Sequence, residues 1–432
     1  MDAEVPGRVP LEPPSVPDAA AERDVFHPTR RSVAAWVIYD LANTTFMFGI
    51  GSRYFGLWVI EESGGADWQL GLATATAIVA VVLLGPWLGA RSDHAGRRRT
   101  FLVRTTLITV AATALLATGS LEQSLVLYAV GSVGFHLSLI VYDAMLPDVS
   151  TPTTRGRISG LGVACGYLGS LLALGIGAYL LPRAGYLAVF RGLALAFLVL
   201  ALPAFLWVRE RPRKRTPGRP PGLLASPATA LGAWHDAARQ PGLVRFLIGR
   251  FLYTDATNTV FLFVAVFAKL EIGFTDAQTD VVLAEGACAA LVGAFVAGRV
   301  VDALGPRRVL NAGLYALMLG VAAAAAAALT GVQGIGWLVG LALGLGVGAS
   351  SASDRVYMLR LTPPEQLGKY FGLYATVGRF ATMAGPLAWA FVADALGWGR
   401  VAALCGLGLF LVAARFVLQG VSDDVRQTES AR

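Results

Sequence analysis

Charged side chains are scarce in this sequence. Only 15% of its 432 residues are Asp, Glu, Lys or Arg, whereas 55% are hydrophobic. A soluble domain usually carries about 25% charged residues. A chain of this length with so few charges could not cover a water-exposed surface. The bilayer must therefore be the solvent over most of its length.

Lysine and cysteine are rarer still. The three lysines, Lys214, Lys269 and Lys369, are followed by Arg, Leu and Tyr. A phosphate-binding loop needs Gly-Lys followed by Ser or Thr, so an ATP-driven motor is excluded. The three cysteines lie singly in apolar runs and give neither a disulfide framework nor metal-ligand spacing. No Gly-x-Ser-x-Gly nucleophile motif occurs either, so we expect no enzyme activity, no metal and no cofactor.

Long apolar runs fill most of the chain. A helix needs about 20 mostly apolar residues to cross the roughly 30 Å hydrocarbon core of a bilayer. We number the runs as spans 1 to 12 and place them at about 33–60, 68–90, 100–118, 124–146, 157–181, 186–208, 243–269, 278–301, 308–330, 334–359, 369–394 and 398–420. The sequence therefore predicts an all-α membrane protein with about twelve transmembrane helices.

Basic residues are distributed unevenly between the loops. The loops after spans 1, 3 and 9 contain no Lys or Arg, whereas those after spans 2, 4, 6 and 8 are rich in Arg. Basic loops stay on the cytoplasmic side of a membrane, so both chain ends are expected there. The basic residues punctuate the apolar runs and do not form a basic domain with interleaved aromatics, so no nucleic-acid partner is expected.

This pattern predicts a division of the chain into five parts. They are a disordered cytoplasmic tail (1–32) without signal-peptide features, an N-terminal half (33–208), a basic cytoplasmic linker (209–242), a C-terminal half (243–420) and a second cytoplasmic tail (421–432). Within the linker, 225–239 is either a helix at the membrane surface, anchored by Trp234, or an unstructured connection.

An internal repeat relates the two halves. In span 1, Asp40-Leu-Ala-Asn43 matches Asp255-Ala-Thr-Asn258 in span 7, at an offset of 255 − 40 = 215 residues. The loop after span 2 matches the loop after span 8 at 302 − 93 = 209, and the starts of spans 5 and 11 match at 368 − 156 = 212. Six spans in each half give a parallel repeat about an axis along the membrane normal.

The loop after span 2 carries a recognisable motif. Its run Gly89-x-x-x-Asp93-x-x-Gly96-Arg97-Arg98-Arg99 is similar to the signature motif of the major facilitator superfamily and lies in the expected place. The resemblance covers all twelve spans. It implies the major facilitator fold of two six-helix halves, and secondary active transport of a small solute by alternating access. A lipid-handling protein or a non-transporting receptor on the same fold is the alternative.

A narrower resemblance is to the autophagy-related vacuolar amino-acid effluxer family and its bacterial relatives. It is carried by Tyr39-Asp40-Leu-Ala-Asn43, by Tyr142-Asp143-Ala-Met-Leu146-Pro147-Asp148 and by Arg155-Gly156-Arg157-Ile-Ser-Gly160. It makes an amino acid or related metabolite the candidate solute for efflux, with a proton or another ion as the candidate coupling partner. We expect a monomer in contact with membrane lipids in a bacterial cytoplasmic membrane.

The resemblance also implies a conformational latch in the repeated loops. Its residues are Gly89, Asp93, Gly96, Arg97 and Arg98 after span 2, and Asp302, Gly305 and Arg307 after span 8. In the family, that Asp lies near the start of a neighbouring helix, where the positive end of the helix dipole favours an anion.

Polar residues inside the spans are the candidates for a solute or coupling site. A charge at the bilayer centre is costly and normally faces a cavity or a partner. The candidates are Asp40, Asn43, Arg53, His136, Asp143, Asp255, Asn258, Asp354 and Arg355. In the fold that this chain resembles, spans 1, 4, 7 and 10 line the central cavity, and each carries an Asp. The matched Asp-x-x-Asn pairs predict a two-fold polar site, because residues three apart share a helix face.

The roles of these candidates remain open between alternatives. Asp40 and Asp255 either couple protons or only close the cytoplasmic gate, and Asp143 and Asp354 either join the site or are solvated near their helix ends. Arg53 either holds a carboxylate or phosphate of the solute or snorkels to the outer interface. His136 either relays protons or packs.

Overall fold

The structure, a computed structural model, describes residues 28–211, 222, 226–382 and 384–421. Most of the predicted tails, 1–27 and 422–432, lie outside these ranges. Span 1 begins at Arg30, where the Thr29 side chain accepts a hydrogen bond from the Ser32 amide at 3.2 Å. Residues 30–32 therefore belong to the first helix and not to the tail in which the prediction placed them.

The N-terminal half contains spans 1 to 6. The helices are Arg30–Glu62 for span 1, Asp67–Ala95 for span 2, Arg98–Ala114 for span 3 and Leu121–Ala144 for span 4. Span 1 widens into π-helix at Met47–Tyr54 and Trp58–Glu62. Spans 5 and 6 form one continuous run, Arg155–Trp207, interrupted at Gly185, whose φ of 72° is in the left-handed region that favours glycine.

The C-terminal half contains spans 7 to 12. Its helices are Leu243–Leu270, Asp276–Leu304, Pro306–Thr330 and Gln333–Leu361 for spans 7 to 10, and Gly399–Gln419 for span 12. Span 11 is broken: Leu367–Phe380 is followed by Ala384–Ala390 and a π-helical end at Phe391–Ala395. Pro386 explains the break, because a proline has no N–H to donate and its ring clashes with the carbonyl four residues earlier.

The helices account for twelve spans. Nine helices of the described ranges are long and apolar enough to cross a membrane. One of these, Arg155–Trp207, supplies two spans. Span 3, at 17 residues, and the broken span 11 complete the set. The prediction of an all-α membrane protein with about twelve spans in two halves is confirmed.

Glycines bring the two halves into backbone contact. A Cβ at Gly89 in span 2 would lie 1.9 Å from the carbonyl oxygen of Gly368 in span 11. A Cβ at Gly160 in span 5 would lie 2.6 Å from the Cα of Gly298 in span 8. Any side chain at these positions would force the helices apart, so the glycines set the distance between the halves.

The linker contains a helix, Ser226–Arg239, hereafter the linker helix. It packs against span 2 and against the start of span 11, so it contacts both halves. Ala233 and Ala237 are fully buried, whereas Leu231 and Trp234 are exposed. The linker helix is thus an amphipathic surface helix, and the unstructured alternative for 225–239 is wrong for residues 226–239.

Candidate functional site

A cavity of about 370 Å³ lies between the two halves. Spans 1, 4, 7 and 10 all contribute to its wall, as the resemblance implies, and span 11 contributes as well. The lining residues are Asp40, Met47, His136, Leu139, Asp143, Arg250, Thr254, Asn258, Ser351, Asp354, Arg355, Tyr374, Ala375, Gly378, Arg379 and Thr382.

Reciprocal contacts between spans 1 and 4 position the acids of the N-terminal half. The Trp36 indole N–H donates to the Tyr142 carbonyl, and the Tyr142 hydroxyl donates to the Trp36 carbonyl, each at 3.2 Å. The two rings stack with centroids 4.4 Å apart. Asp40 lies one helical turn after Trp36, and Asp143 directly follows Tyr142, so this packing brings both carboxylates to the same place.

Arg355 of span 10 pairs with both of these carboxylates. Its guanidinium lies 3.0 Å from Asp40 Oδ2 and 3.2 Å from Asp143 Oδ1, and the three side chains are no more than 15% exposed. The rings of Trp36 and Tyr142 lie 5.5 and 5.9 Å from the guanidinium carbon. Charge-assisted hydrogen bonds with little solvent around them are stronger than neutral ones. Arg355 therefore ties span 10 to spans 1 and 4 across the boundary between the halves.

A second ion pair stays within the C-terminal half. Arg250 Nε lies 3.4 Å from Asp354 Oδ2, and the Tyr253 hydroxyl donates to the same oxygen at 3.3 Å. The Arg250 guanidinium also lies 3.5 Å from the ring centroid of Tyr374 and donates to the Tyr374 carbonyl at 3.3 Å. Asp354 thus holds Arg250 beside span 11, while the next residue, Arg355, faces the other half.

The two repeated loop acids bind helix starts in the opposite half. Asp93 of the N-terminal half accepts from the amides of Gly368 and Lys369, at 3.1 and 3.0 Å, at the start of span 11. Asp302 of the C-terminal half accepts from the amides of Gly156 and Arg157, at 2.6 and 2.8 Å, at the start of span 5. This is the helix-start geometry that the motif predicts. We call the end of the bundle that carries Asp93 and Asp302 the latch end.

The basic residues of the two loops differ in their contacts. Arg98 is fully buried, pairs with Asp93 Oδ1 at 2.5 Å and donates to the Ala144 carbonyl at the end of span 4. Arg307 donates to the Gln419 carbonyl at the end of span 12, and Arg97 is exposed. Gly96 ends span 2 with φ 62°, and Gly305 ends span 8 with φ 86°.

The predicted two-fold Asp-x-x-Asn site is not formed. Asp40 and Asn258 line the cavity, but their expected counterparts, Asp255 for Asp40 and Asn43 for Asn258, are buried elsewhere. Both amide atoms of Asn43 lack a hydrogen-bond partner among the residues that the structure describes. Asp255 accepts from the Gly385 amide at 2.8 Å, where span 11 resumes after its break.

A different register of the repeat would account for this difference. An offset of 250 − 40 = 210, close to the 302 − 93 = 209 of the loop acids, makes Arg250 the counterpart of Asp40, and Arg250 lines the cavity, as do Thr254 and Asn258 of span 7. The predicted offset of 215 is five residues longer. At 3.6 residues per turn, five residues rotate a side chain by about 140° beyond a full turn. At an offset of 210, Asp255 corresponds to Thr45, another buried residue.

Two further candidates occupy different environments. His136 lines the cavity, and its Nδ1 lies 2.7 Å from the Ser132 carbonyl. A carbonyl only accepts, so Nδ1 carries the hydrogen. Nε2 is buried and has no partner in the described part of the chain. Arg53 lies on the exposed surface with its guanidinium 5.7 Å from the Tyr54 ring centroid, outside the set of cavity-lining residues.

Arg379 is a cavity residue that the site prediction left out. The resemblance implies that spans 1, 4, 7 and 10 line the cavity, so it gives no reason to place a basic residue of span 11 there. The signal was present, however: Arg379 is a charge about 12 residues into span 11, and such a charge is costly unless it faces a cavity or a partner.

Comparison with known proteins agrees with this architecture. The family model of the Major Facilitator Superfamily matches residues 37–378 and 246–432. The uncharacterized MFS-type transporter YxiO of Bacillus subtilis is 26% identical over 421 residues, which cover 92% of this chain and 97% of that protein. Autophagy-related protein 22-2 of Aspergillus clavatus is 26% identical over 270 residues, or 56% of this chain and 44% of that protein. The resemblance to the autophagy-related family is thereby confirmed.

Solved structures show the same fold. The human organic anion transporter MFSD10 (TETRAN) aligns with a TM-score of 0.72 at 18% identity, covering 90% of this chain and 99% of that one. The proton:xylose symporter XylE aligns with a TM-score of 0.67 at 14% identity, covering 92% and 97%. At these identities the likeness concerns the fold alone. The helices, the loop motifs and the family match together establish that this chain is an integral, multi-pass membrane transporter of the major facilitator superfamily.

Proposed function

We propose that this protein is a secondary active transporter that carries a small solute by alternating access, and that the cavity between its halves is the solute site. The observation that carries the proposal is the pair of ion contacts from Arg355 to Asp40 and Asp143, which join the halves on one side of the cavity. Transporters of this kind bind solute near the bilayer midplane and rock one half against the other.

Further contacts between the halves support a closed latch end. The Asp93 and Asp302 contacts and the hydrogen bond from Ser159 to the Ala352 carbonyl, at 2.9 Å, all lie toward this end. Opening there requires Arg355 to release two carboxylates and each loop acid to release two amides. Binding of a solute must favour one arrangement over the other to drive the exchange. We place the latch end on the cytoplasmic side of a bacterial cytoplasmic membrane, because its loops carry the Arg clusters.

A proton is the coupling ion that this arrangement favours. Protonation of Asp40 or Asp143 would remove the charge that attracts Arg355 and so weaken the closure of the latch end. Asp255 is a weaker candidate for proton coupling than Asp40, because it binds the Gly385 amide inside the C-terminal half. The candidate solute remains an amino acid or a related metabolite, for which the cavity volume is suitable.

The test is reconstitution of the purified protein into proteoliposomes. Radiolabelled amino acids should exchange across the membrane, and a pH gradient should drive their accumulation. An Asp40→Asn variant should keep exchange but lose the pH-driven part. The alternative function is measured in the same vesicles with fluorescent phospholipids. Lipid translocation without flux of any solute would show that the protein handles lipids and does not transport a solute.

A further inference from the structure

The cations of the cavity are unequally provided with counter-ions. Three guanidinium groups contribute to its wall. Arg355 contacts two carboxylates and Arg250 contacts one. Within the described ranges of the chain, no carboxylate is paired with the third, Arg379, although its side chain is partly buried and lines the cavity.

The place of Arg379 makes this lack of an anion significant. Arg379 lies 379 − 367 = 12 residues into span 11, about 18 Å from the start of the helix, near the middle of a roughly 30 Å core. The Arg250 guanidinium is its neighbour: a Cβ at Gly378 would lie 2.8 Å from Arg250 Nη1. Two adjacent cations far from bulk water repel each other, and an anion entering the cavity would relieve that repulsion.

His136 on the opposite wall adds no polar contact for a solute in this conformation, because its Nδ1–H is bonded to the Ser132 carbonyl and its Nε2 is buried.

We propose that the solute carries a carboxylate and that Arg379 binds this group. This inference rests on the proposed transport function and names its substrate class. The cavity limits the size of the solute: 370 Å³ corresponds to about twelve waters at about 30 Å³ each. A small carboxylic acid fits this description.

The test uses the full-length protein purified in detergent, with thermal stabilisation as the measure of binding. The probes are the L-amino acids, hydroxy acids such as lactate, and straight-chain mono- and dicarboxylates. Each active acid is compared with its own carboxamide and with the corresponding amine that lacks the carboxylate. We expect one or more acids to stabilise the protein, and their amides and amines to fail.

Variants then locate the carboxylate. Arg379→Gln should weaken binding of the active acid by about 10- to 100-fold, the loss expected for a charge-assisted contact, and Arg379→Lys should restore part of it. Arg183→Gln is the matched control, because Arg183 is an exposed arginine that donates to the Tyr179 carbonyl at 2.8 Å. Melting temperatures of the unliganded variants, compared with the wild type, separate loss of binding from loss of folding.

Three results would overturn the proposal. One is binding of the neutral amides as tightly as the acids, and another is failure of every acid to bind. The third is unchanged acid binding in Arg379→Gln together with altered access to the cavity, which would make Arg379 a partner for Asp40 or Asp143 in another conformation. Flux of a neutral or cationic solute in proteoliposomes would refute the substrate class alone, whereas the absence of any solute flux would refute the transport function itself.

Discussion

Arg355 in span 10 and Asp143 in span 4 lie 3.2 Å apart across the boundary between the two halves. Both side chains are nearly buried, and the Arg355 guanidinium also pairs with the Asp40 carboxylate. Removing one partner of a buried ion pair costs up to about 3–5 kcal/mol, because the other charge is left uncompensated. The contact should therefore control whether the latch end is closed.

Arg355→Gln should open the latch end and lower the melting temperature. A cysteine at Thr254, introduced after replacement of the three native cysteines, would report access to the cavity from each side of sealed vesicles. We expect faster labelling from the latch side in Arg355→Gln. Adding Asp143→Asn should partly restore both stability and protection, since it removes one of the stranded carboxylates. Equal labelling of the wild type and the Arg355→Gln variant would show that the pair does not hold this end closed.

The two loop acids, Asp93 and Asp302, should contribute unequally to closing the latch end. Each accepts two helix-start amides, an interaction worth about 0.3–2 kcal/mol. Asp93 additionally neutralises the fully buried Arg98. Asp93→Asn should therefore shift the balance of conformations toward an open latch end more than Asp302→Asn does. The same cysteine labelling measures both variants, and a larger effect of Asp302→Asn would contradict this order.

The Asp40→Asn and Asp255→Asn variants should behave differently in transport assays. Asp40→Asn removes a charge that faces the cavity and Arg355, so pH-driven accumulation should fall severalfold while exchange continues. Asp255→Asn keeps an oxygen that can accept from the Gly385 amide, so accumulation and its pH dependence should stay close to the wild type. Loss of pH-driven accumulation in Asp255→Asn, with exchange intact, would return the coupling role to Asp255.

The linker helix should be held in place by a charge contact outside the membrane. The Lys369 ammonium binds the Asp236 carboxylate, and this hydrogen bond lowers the pKa of Asp236 below its ordinary value. A lowered pKa means that the contact is complete above the usual Asp range, near 3.9, and is lost as the pH falls through the lowered value. Hydrogen exchange of 226–239 should thus be constant from pH 6 to 8, after correction for intrinsic rates.

Asp236→Asn should raise that exchange severalfold at neutral pH, and Lys369→Gln should do the same. The effect on global stability should be below about 1 kcal/mol, because the carboxylate is 42% exposed and such pairs are weak. Unchanged exchange in both variants would mean that packing of Ala233 and Ala237 holds the linker helix without the ion pair.

Orientation is checked by reporter fusions. Fusions after residues 215 and 432 should report the cytoplasm, and a fusion after residue 65 should report the outside, because the Arg-rich loops determine the topology. An outside signal at residue 215 would invert the assignment of the latch end.

The twelve spans and the two loop acids could be predicted because their signals are local. Hydropathy over about 20 residues marks a span, and the spacing from Gly89 to Arg99 fixes the loop motif. That Asp93 binds the start of span 11 followed from the motif and from the general preference of helix starts for anions.

The composition of the cavity could be predicted only in part, because it depends on rotation about helix axes. Six of the nine candidate residues line the cavity, whereas Asn43, Arg53 and Asp255 do not. The similarity of Asp40-x-x-Asn43 to Asp255-x-x-Asn258 set the repeat five residues out of register, which turned Asp255 into an apparent cavity residue. Arg250 and Arg379 became cavity residues only when the helices were placed beside each other. The pairing of Arg355 with Asp40 and Asp143 joins residues 315 and 212 positions apart, and no short-range pattern encodes such contacts.

The broken symmetry of the repeat gives the cavity an electrical polarity. The wall from the N-terminal half contributes two negative charges, Asp40 and Asp143. The wall from the C-terminal half contributes three positive charges and one negative one, Arg250, Arg355, Arg379 and Asp354. With these groups ionised and His136 neutral, the sum is zero. A carboxylate carried alone would leave the loaded carrier with one net negative charge to move through the membrane potential. A zwitterion, or a carboxylate that travels with one proton, would leave the loaded carrier neutral. The membrane potential would then neither drive nor oppose the movement of the loaded carrier across the membrane.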